Sequence, residues 1–284
     1  DRLGGHGRST RLSNGNALVA MLALSAFERG VDLRLNTPVQ QLLVEDARVA
    51  GALVQTPEGL CEIRARAGVV LACGGFPASP ELRARYYTHV TAGKNHRTAA
   101  PSGNTGDALN LAGQAGVAMK EAQHHPAAWT PMSLVPQPDG TDVPFPHYND
   151  RGKAGYIAVD RRGRRFISES LSYHDFVPAM INACRDEAEV CSWIVCDSRA
   201  IRQYGLGRVP PWPLPIGSFV GSGYLKRGQT LDELAQACGI DAAGLIQTVA
   251  RLNAGAERGI DEEFNKGADV YERFNGSRGH APNP

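Results

Sequence analysis

The hydrophobic pattern of this chain changes period several times. From Asn16 to Glu28, Leu18, Met21, Leu22 and Ser25 recur at helical spacing, and Gly30 ends the run. Val31, Leu33 and Leu35 then alternate with Asp32 and Arg34, which is the period of a strand. Three more strands are predicted over Val39–Glu45, Arg48–Gln55 and Leu60–Arg66, with turns at Glu45-Asp46-Ala47 and Pro57-Glu58-Gly59. Val69–Ala72 is a continuous apolar run ending in Gly74-Gly75, the pattern of a strand buried on both faces. A helix, a small antiparallel meander and a buried strand leading into paired glycines form one piece of an α/β layer of the nucleotide-binding kind.

The middle of the chain reads differently. Five prolines between Ala127 and Asn149 break any periodicity, as in a long ordered loop or a crossing into another lobe. A hairpin is expected over Tyr156–Asp160 and Arg164–Ile167 around Arg162-Gly163, and a further strand over Cys191–Asp197. Pro210, Pro211, Pro213 and Pro215 forbid helix and central strand from Arg208 to Gly217. Thr230-Leu-Asp-Glu233 is a capping box opening a helix up to Gly239. Asp241 caps another, with Leu245, Ile246, Val249 and Leu252 on one face. This change of character puts a domain boundary near residue 125.

Composition narrows the class. A chain of 284 residues, 42% hydrophobic and 21% charged, can bury a core as one large domain or two modest ones. Thirty basic residues against 29 acidic ones leave no cation surplus for nucleic acid. The longest mostly apolar stretch, Ala17–Phe27, falls well short of the ~20 residues that span a bilayer, so no membrane span is expected. The start at Asp1, with no charged-then-apolar leader, reads as a processed or excised piece of something longer. The six cysteines include no C-x-x-C pair and are expected to be reduced and buried in a cytoplasmic protein. Cys184, Cys191 and Cys196 are poorly spaced for zinc, and no metal is expected.

Several segments could carry chemistry. Gly74-Gly75 either turns the chain tightly or lets backbone approach a ligand. Gly103-Asn-Thr-Gly-Asp107 opens a helical pattern, either as an ordinary cap or with its N–H groups aimed at an anion. His124-His125 is a poor ligand pair, because neighbours on a strand point opposite ways. Ser168–Asp175 gathers a carboxylate, a phenol, an imidazole and a second carboxylate between a strand and a helix. No G-x-G-x-x-G occurs anywhere.

These pieces fall in a familiar order. Thr37-Pro-Val39, Val69-Val-Leu-Ala-Cys-Gly-Gly-Phe76, Gly103-Asn-Thr-Gly-Asp107 and Gly163-Arg-Arg-Phe-Ile-Ser-Glu169 resemble the flavoprotein family of fumarate reductases, succinate dehydrogenase flavoprotein subunits and 3-ketosteroid dehydrogenases. Gly259-Ile-Asp-Glu-Glu-Phe264, Tyr271-Glu-Arg273 and Pro282-Asn-Pro284 resemble the ketosteroid dehydrogenase side most. The resemblance implies an α/β (α+β) fold. Residues 1–125 would be a partial FAD-binding domain with an antiparallel meander. Residues 126–284 would be an α+β capping domain whose last residues return toward the first. It implies FAD contacts at Val39, Ala72, Gly74, Gly75, Thr105, Gly106 and Asp107. The family's N-terminal strand–glycine–helix element and its C-terminal segment find no counterpart in the chain. A central fragment with weak or absent FAD affinity is therefore expected.

The resemblance also implies a reaction, the oxidation of a CH–CH bond beside a carbonyl. Fumarate reductases follow Arg-Phe-x-Asn-Glu with an Arg-Asp pair whose arginine delivers the proton. Here Tyr173 and His174 follow Arg165-Phe-Ile-Ser-Glu169, and ketosteroid dehydrogenases also have a tyrosine there as proton acceptor. Tyr173, Glu169, Arg165 and His174 are thus the implied catalytic residues. A tyrosine suits a neutral apolar ketone, whereas an arginine suits a dicarboxylate. A phenol acting as a base near neutrality must be made easier to ionise by roughly 4 kcal/mol, with Arg165 one expected source. Trp129, Phe145 and Pro146 are expected to line the cleft. The expected substrate is a small molecule, steroid-like or another apolar ketone. A reductase of a small unsaturated acid and a non-catalytic capping module are the alternatives.

Overall fold

The computed structural model describes residues 11–118, 125–212, 215–277 and 279–280. The chain forms two compact units, residues 1–72 with 108–118 and residues 73–107 with 119–284. Along the sequence the chain changes unit at 72/73, 107/108 and 118/119, and the Gly74-Gly75 and Gly103–Asp107 segments belong to the second unit.

The first unit holds helix α1 (Asn14–Glu28) and strands β1 (Val39–Glu45), β2 (Arg48–Thr56) and β3 (Gly59–Arg64). The strands form the expected meander in the order β1-β2-β3, antiparallel throughout. Leu42, Gly51 and Val54 are its buried positions, and Arg64 pairs with Glu45 across it. Two expectations fail here. Val31–Leu35 is not a strand, and Val69–Ala72 is neither a strand nor buried, with Val70 89% exposed. Among the described residues no strand pair is parallel. An apolar run becomes a central strand only when neighbours pair its edges and cover its faces, and no described residues do this. For the same reason α1 forms with none of its residues buried.

The second unit begins with α2 (Pro80–Tyr86), α3 (Thr88–Thr91) and the opening of α4 (Asp107–Gln114). The proline-rich stretch is a hairpin and not a loop, with β4 (Met132–Pro136) against β5 (Asp142–Pro146). Proline is tolerated because both strands of a two-stranded ribbon are edges. A short 3₁₀ turn (Asp150–Gly152) leads to β6 (Tyr156–Val159), buried at every position. Its partner is β7 (Trp193–Cys196), and the expected Arg164–Ile167 strand shrinks to one bridge between Val159 and Arg165. Between them runs α5 (Tyr173–Ala183). There follow α6 (Ser198–Tyr204), α7 (Gly217–Gly221), α8 (Leu231–Cys238), α9 (Ala242–Glu257) and α10 (Val270–Asn275).

The caps read from sequence are present. Thr230 Oγ1 accepts from the Glu233 amide, Gly239 ends α8 in the left-handed conformation, and Asp241 accepts from the Gly244 amide. Ile157, Val159, Val195, Ala235, Ile240 and Leu245 then form one core between the β6–β7 pair and α8–α9. Ile246, expected on the buried face, is exposed. The described end of the chain docks within this unit, where Lys153 Nζ donates to the Asn275 carbonyl at 2.7 Å.

All six cysteines are free. Burial raises the pKa of the Cys184 and Cys191 thiols and pushes Cys196 up to about 12. Cys61 and Cys73, expected to be buried, are exposed. No described helix is long and apolar enough to cross a membrane.

This packing gives a paired expectation. Leu245→Ala, at a fully buried site, should lower unfolding free energy by about 2–5 kcal/mol. Val70→Ala should change it by less than about 0.5 kcal/mol. Urea titration of the two variants checks both.

Candidate functional site

Two buried arginines organise the loop on which the candidate residues stand. Arg165, only 5% exposed, directs Nε and Nη2 to the two oxygens of Glu169. Its Nη1 and Nη2 meet the two oxygens of Asp261, and all four contacts are 2.8 Å. Glu169, 1% exposed, also accepts from the Ala158 amide and lies 3.4 Å from Lys266 Nζ. Burial works against both carboxylates. For Glu169 the nearby Lys266 and the bonds to Arg165 outweigh it, and for Asp261 the bonds to Arg165 do, leaving both pKa values below the ordinary range.

This cluster corrects the sequence reading. Neither Arg165 nor Glu169 reaches the cavity described below. Four of the five guanidinium N–H groups are already spent, so Arg165 has no free fork with which to assist Tyr173. Its role is to hold the loop. No motif in the sequence points to the second arginine, Arg151. That side chain is buried and donates to the carbonyls of His147, Tyr148, Glu169 and Leu171, with its guanidinium 4.7 Å from the centre of the Phe176 ring. Burial lowers its pKa to about 10. Arg151 thereby ties the 147–148 loop to the 169–171 loop.

The tie brings two tyrosines together. Ser172 caps α5, accepting from the amides of His174 and Asp175, so Tyr173 is the first helical residue. The Tyr173 ring meets Tyr148 edge-on at 5.2 Å, and both line a cavity of about 1880 Å³ in the second unit. His174 points elsewhere: its Nδ1 accepts from the Trp129 amide at 3.1 Å, and its ring meets His125 at 4.8 Å. His124 lies outside the described residues.

Another wall of the cavity is aromatic. Trp129 packs edge-on against Tyr87 and His89, at 4.9 and 5.4 Å, with His96 3.1 Å from His89. Burial, then His89 and the arginines Arg83 and Arg97, bring His96 down to about 4, and burial also lowers His89. This wall is neutral at ordinary pH. Trp129 lines the cavity as expected, whereas Phe145 and Pro146 do not.

The glycine segments pack against one another. The Gly106 amide donates to the Gly75 carbonyl at 3.1 Å, and the Ala78 amide to Asn104 at 3.0 Å. Thr105 Oγ1 donates to Asp107 at 2.9 Å, at the mouth of α4. Gly74 and Gly106 hold φ of +80° and +96°, and open space stands where Gly103 would carry a Cβ. A backbone bared in this way can approach a dinucleotide closely. Val39 and Ala72 belong to the first unit.

Comparison with known proteins gives this geometry a family. Residues 2–284 match the FAD binding domain family, and the chain belongs to it. It is 42% identical over 273 residues to the 4-oxocyclohex-2-ene-1-carboxylate 5-dehydrogenase of Sinomonas cyclohexanicum, covering 96% of this chain and 46% of that protein. It is 31% identical to the 3-oxosteroid 1-dehydrogenase of Mycobacterium tuberculosis, over 95% of this chain and 48% of the relative. The 3-ketosteroid Δ1-dehydrogenase of Sterolibacterium denitrificans, solved with 1,4-androstadiene-3,17-dione, superposes with a TM-score of 0.79 at 31% identity, again over 95% and 48%. The chain thus spans about half the length of these relatives. The resemblance read from the motifs, closest to the ketosteroid dehydrogenases, is borne out, and FAD is the cofactor of this family.

The arginine cluster sets an acid limit. Folded-state pKa values below the unfolded ones mean stability that is present above about pH 4 and lost as pH falls further. Asp261→Asn should cost about 3–5 kcal/mol at neutral pH and blunt that acid transition. Urea titrations at a series of pH values measure both.

Proposed function

We propose that this chain is the substrate-enclosing part of a flavin-dependent dehydrogenase that oxidises the CH–CH bond beside the carbonyl of a cyclic ketone. The observation that carries this reading is Tyr173 on the wall of a large, partly aromatic cavity, while Arg165 directs its guanidinium to Glu169 and Asp261 and does not line that cavity. Tyr173 is the base that takes a proton from the carbon next to the carbonyl. When bound, FAD supplies the two-electron acceptor for the hydride that leaves the β-carbon. In the second unit, Gly74, Gly75, Thr105, Gly106 and Asp107 are the residues that would hold it. Trp129 and Tyr148 flank the ring of the substrate and exclude water. His174 orients Trp129 through its amide and stays out of the proton transfer.

The charge of the lining refines the substrate. Arg97, Arg202, Lys226 and Arg227 outnumber Glu189 and Asp197 around the cavity. That balance favours a cyclic ketone bearing a carboxylate over a wholly apolar steroid. The name of the 42% identical relative, a dehydrogenase of an oxocyclohexene carboxylate, supports the same choice. The neutral aromatic wall takes the ring, and the cationic side takes the acid. Reduced thiols and the lack of a membrane-crossing helix among the described residues support a cytoplasmic setting.

In the complete protein, Tyr173→Phe should lower turnover of a planar cyclic ketone by about 10²–10⁴-fold, with the folded state kept because the ring remains. Fumarate should not be reduced. Near-normal rates in the variant, or efficient fumarate turnover, would sink this reading. Steady-state kinetics on both substrates decides.

A further inference from the structure

A second line of polar groups enters the same cavity. Asp150 Oδ2 lies 2.6 Å from His147 Nδ1, His147 Nε2 lies 2.8 Å from Ser133 Oγ, and Ser133 Oγ lies 2.7 Å from Tyr224 Oη. The 3₁₀ turn, the residue after β5, strand β4 and the loop after α7 each contribute one member. Ser133, His147 and Tyr224 line the cavity, while Asp150 stands behind them. Two backbone amides close the ends, with Gly207 donating to Asp150 at 3.2 Å and Arg208 to Tyr224 Oη at 2.9 Å. Gly207 has φ +57°, and a Cβ there would come within 2.8 Å of His147 Cε1 and closer still to Tyr224 Oη. Only glycine lets the backbone cross so near.

Counting hydrogens along this line shows what it can do. Burial works against the charge of Asp150, but its bonds to His147 and the Gly207 amide outweigh burial and lower its pKa below the ordinary range. Its other oxygen is buried with no partner among the described residues, so the carboxylate stays under-bonded and keeps its hold on Nδ1–H. With a neutral imidazole, Nε2 accepts from Ser133, which accepts from Tyr224, and Tyr224 offers the cavity only a lone pair. With an imidazolium every step reverses. Tyr224 Oη then accepts from both Ser133 and the Arg208 amide, and its own hydrogen points to the cavity.

We propose that Tyr224 is a second proton-transfer residue of this cavity, donating its hydroxyl hydrogen to the oxygen of a bound carbonyl compound and being refilled through Ser133 from the His147–Asp150 pair. The proposal rests on the cavity being a ketone site. The Tyr224 O–H bond breaks as one forms on the carbonyl oxygen. The Ser133 proton passes to Tyr224 Oη, and the His147 Nε2 proton passes to Ser133. His147 ends neutral, Ser133 and Tyr224 end as hydroxyls, and the ligand holds the proton with no change in electron count. Together with proton removal from the α-carbon by Tyr173, this gives the enol, and loss of hydride returns the oxygen proton by the same route. No phenolate forms at Tyr224. The proton is stored on the His147 imidazole, held at Nδ1 by Asp150. Phe145 meets the His147 ring at 5.5 Å, and Arg151, whose charge also acts on Asp150, directs its N–H groups to backbone carbonyls, His147's own among them.

Nitrogen NMR on the 284-residue chain with labelled histidine, titrated with 4-nitrophenolate as an enolate-shaped anion, tests the relay without flavin or turnover. In mildly alkaline buffer the anion should draw the His147 signals toward imidazolium in the wild type. It should leave them unmoved in Ser133→Ala and in Tyr224→Phe. No movement in the wild type, or equal movement in both variants, overturns the proposal. In the complete flavoprotein, Tyr224→Phe should lower kcat for a cyclic ketone about 10²-fold with KM little changed, and an unchanged kcat also overturns it. A wild-type protein whose His147 responds to the anion but which oxidises no cyclic ketone would refute the ketone reading while the relay stands.

Discussion

A guanidinium buried to 5% exposure has to be neutralised where it lies, and the second unit is built around doing so for Arg165. Glu169, four residues on, supplies one bidentate partner, and Asp261 the other from nearly a hundred residues away. Lys266 Nζ lies 3.4 Å from Glu169 and donates to the Tyr156 carbonyl at the start of β6. Ser168, beside Glu169, donates to Glu272 of α10. One charge cluster therefore joins the central strand pair, the loop before α5 and the C-terminal helices. Such a cluster adds little net stability over an apolar core, but losing any one member is costly. Its product is a fixed geometry.

That geometry is delivered to the cavity at second hand. Because Glu169 cannot move, the backbone up to Ser172 is set, and Ser172 starts α5 with Tyr173 at its first position. Arg151 fixes the facing loop through carbonyl contacts, which places Tyr148 against Tyr173 and His147 beside Ser133. At the far end of α5, Lys94 donates to the carbonyls of Cys184 and Arg185. The helix carrying the proposed base is thus held at both ends by cations bound to backbone oxygen.

Features set by near neighbours were legible in the sequence. The meander, its two turns, the Thr230 and Asp241 caps and the α8–α9 core stripe all follow from residues within one or two turns of each other. Val69–Ala72 misled because burial on two faces is a property of neighbours and not of the run itself. The hairpin at 132–146 was hidden by its prolines, which count against a central strand but not against a ribbon with two edges. The motif points to Arg165 and Glu169, but their engagement with each other and with Asp261 depends on a partner 96 residues away that no local pattern reveals. The Ser133–Tyr224 contact joins residues 91 apart, and no local pattern announces it.

The separation of Arg165 from Asp261 has a consequence for how this protein is made. The two residues leave the ribosome 96 positions apart, so at typical synthesis speeds of about 5–20 residues per second the arginine waits roughly 5–20 s for its second carboxylate. During that interval the cluster has Glu169 but lacks Asp261, Lys266 and Glu272. Arg165 is then better left in water than buried half-paired. The strand pair, although its own residues have already emerged, has reason to stay open until those partners arrive. Closure of this unit would then be timed by the arrival of Asp261, Lys266 and Glu272 rather than by its strands.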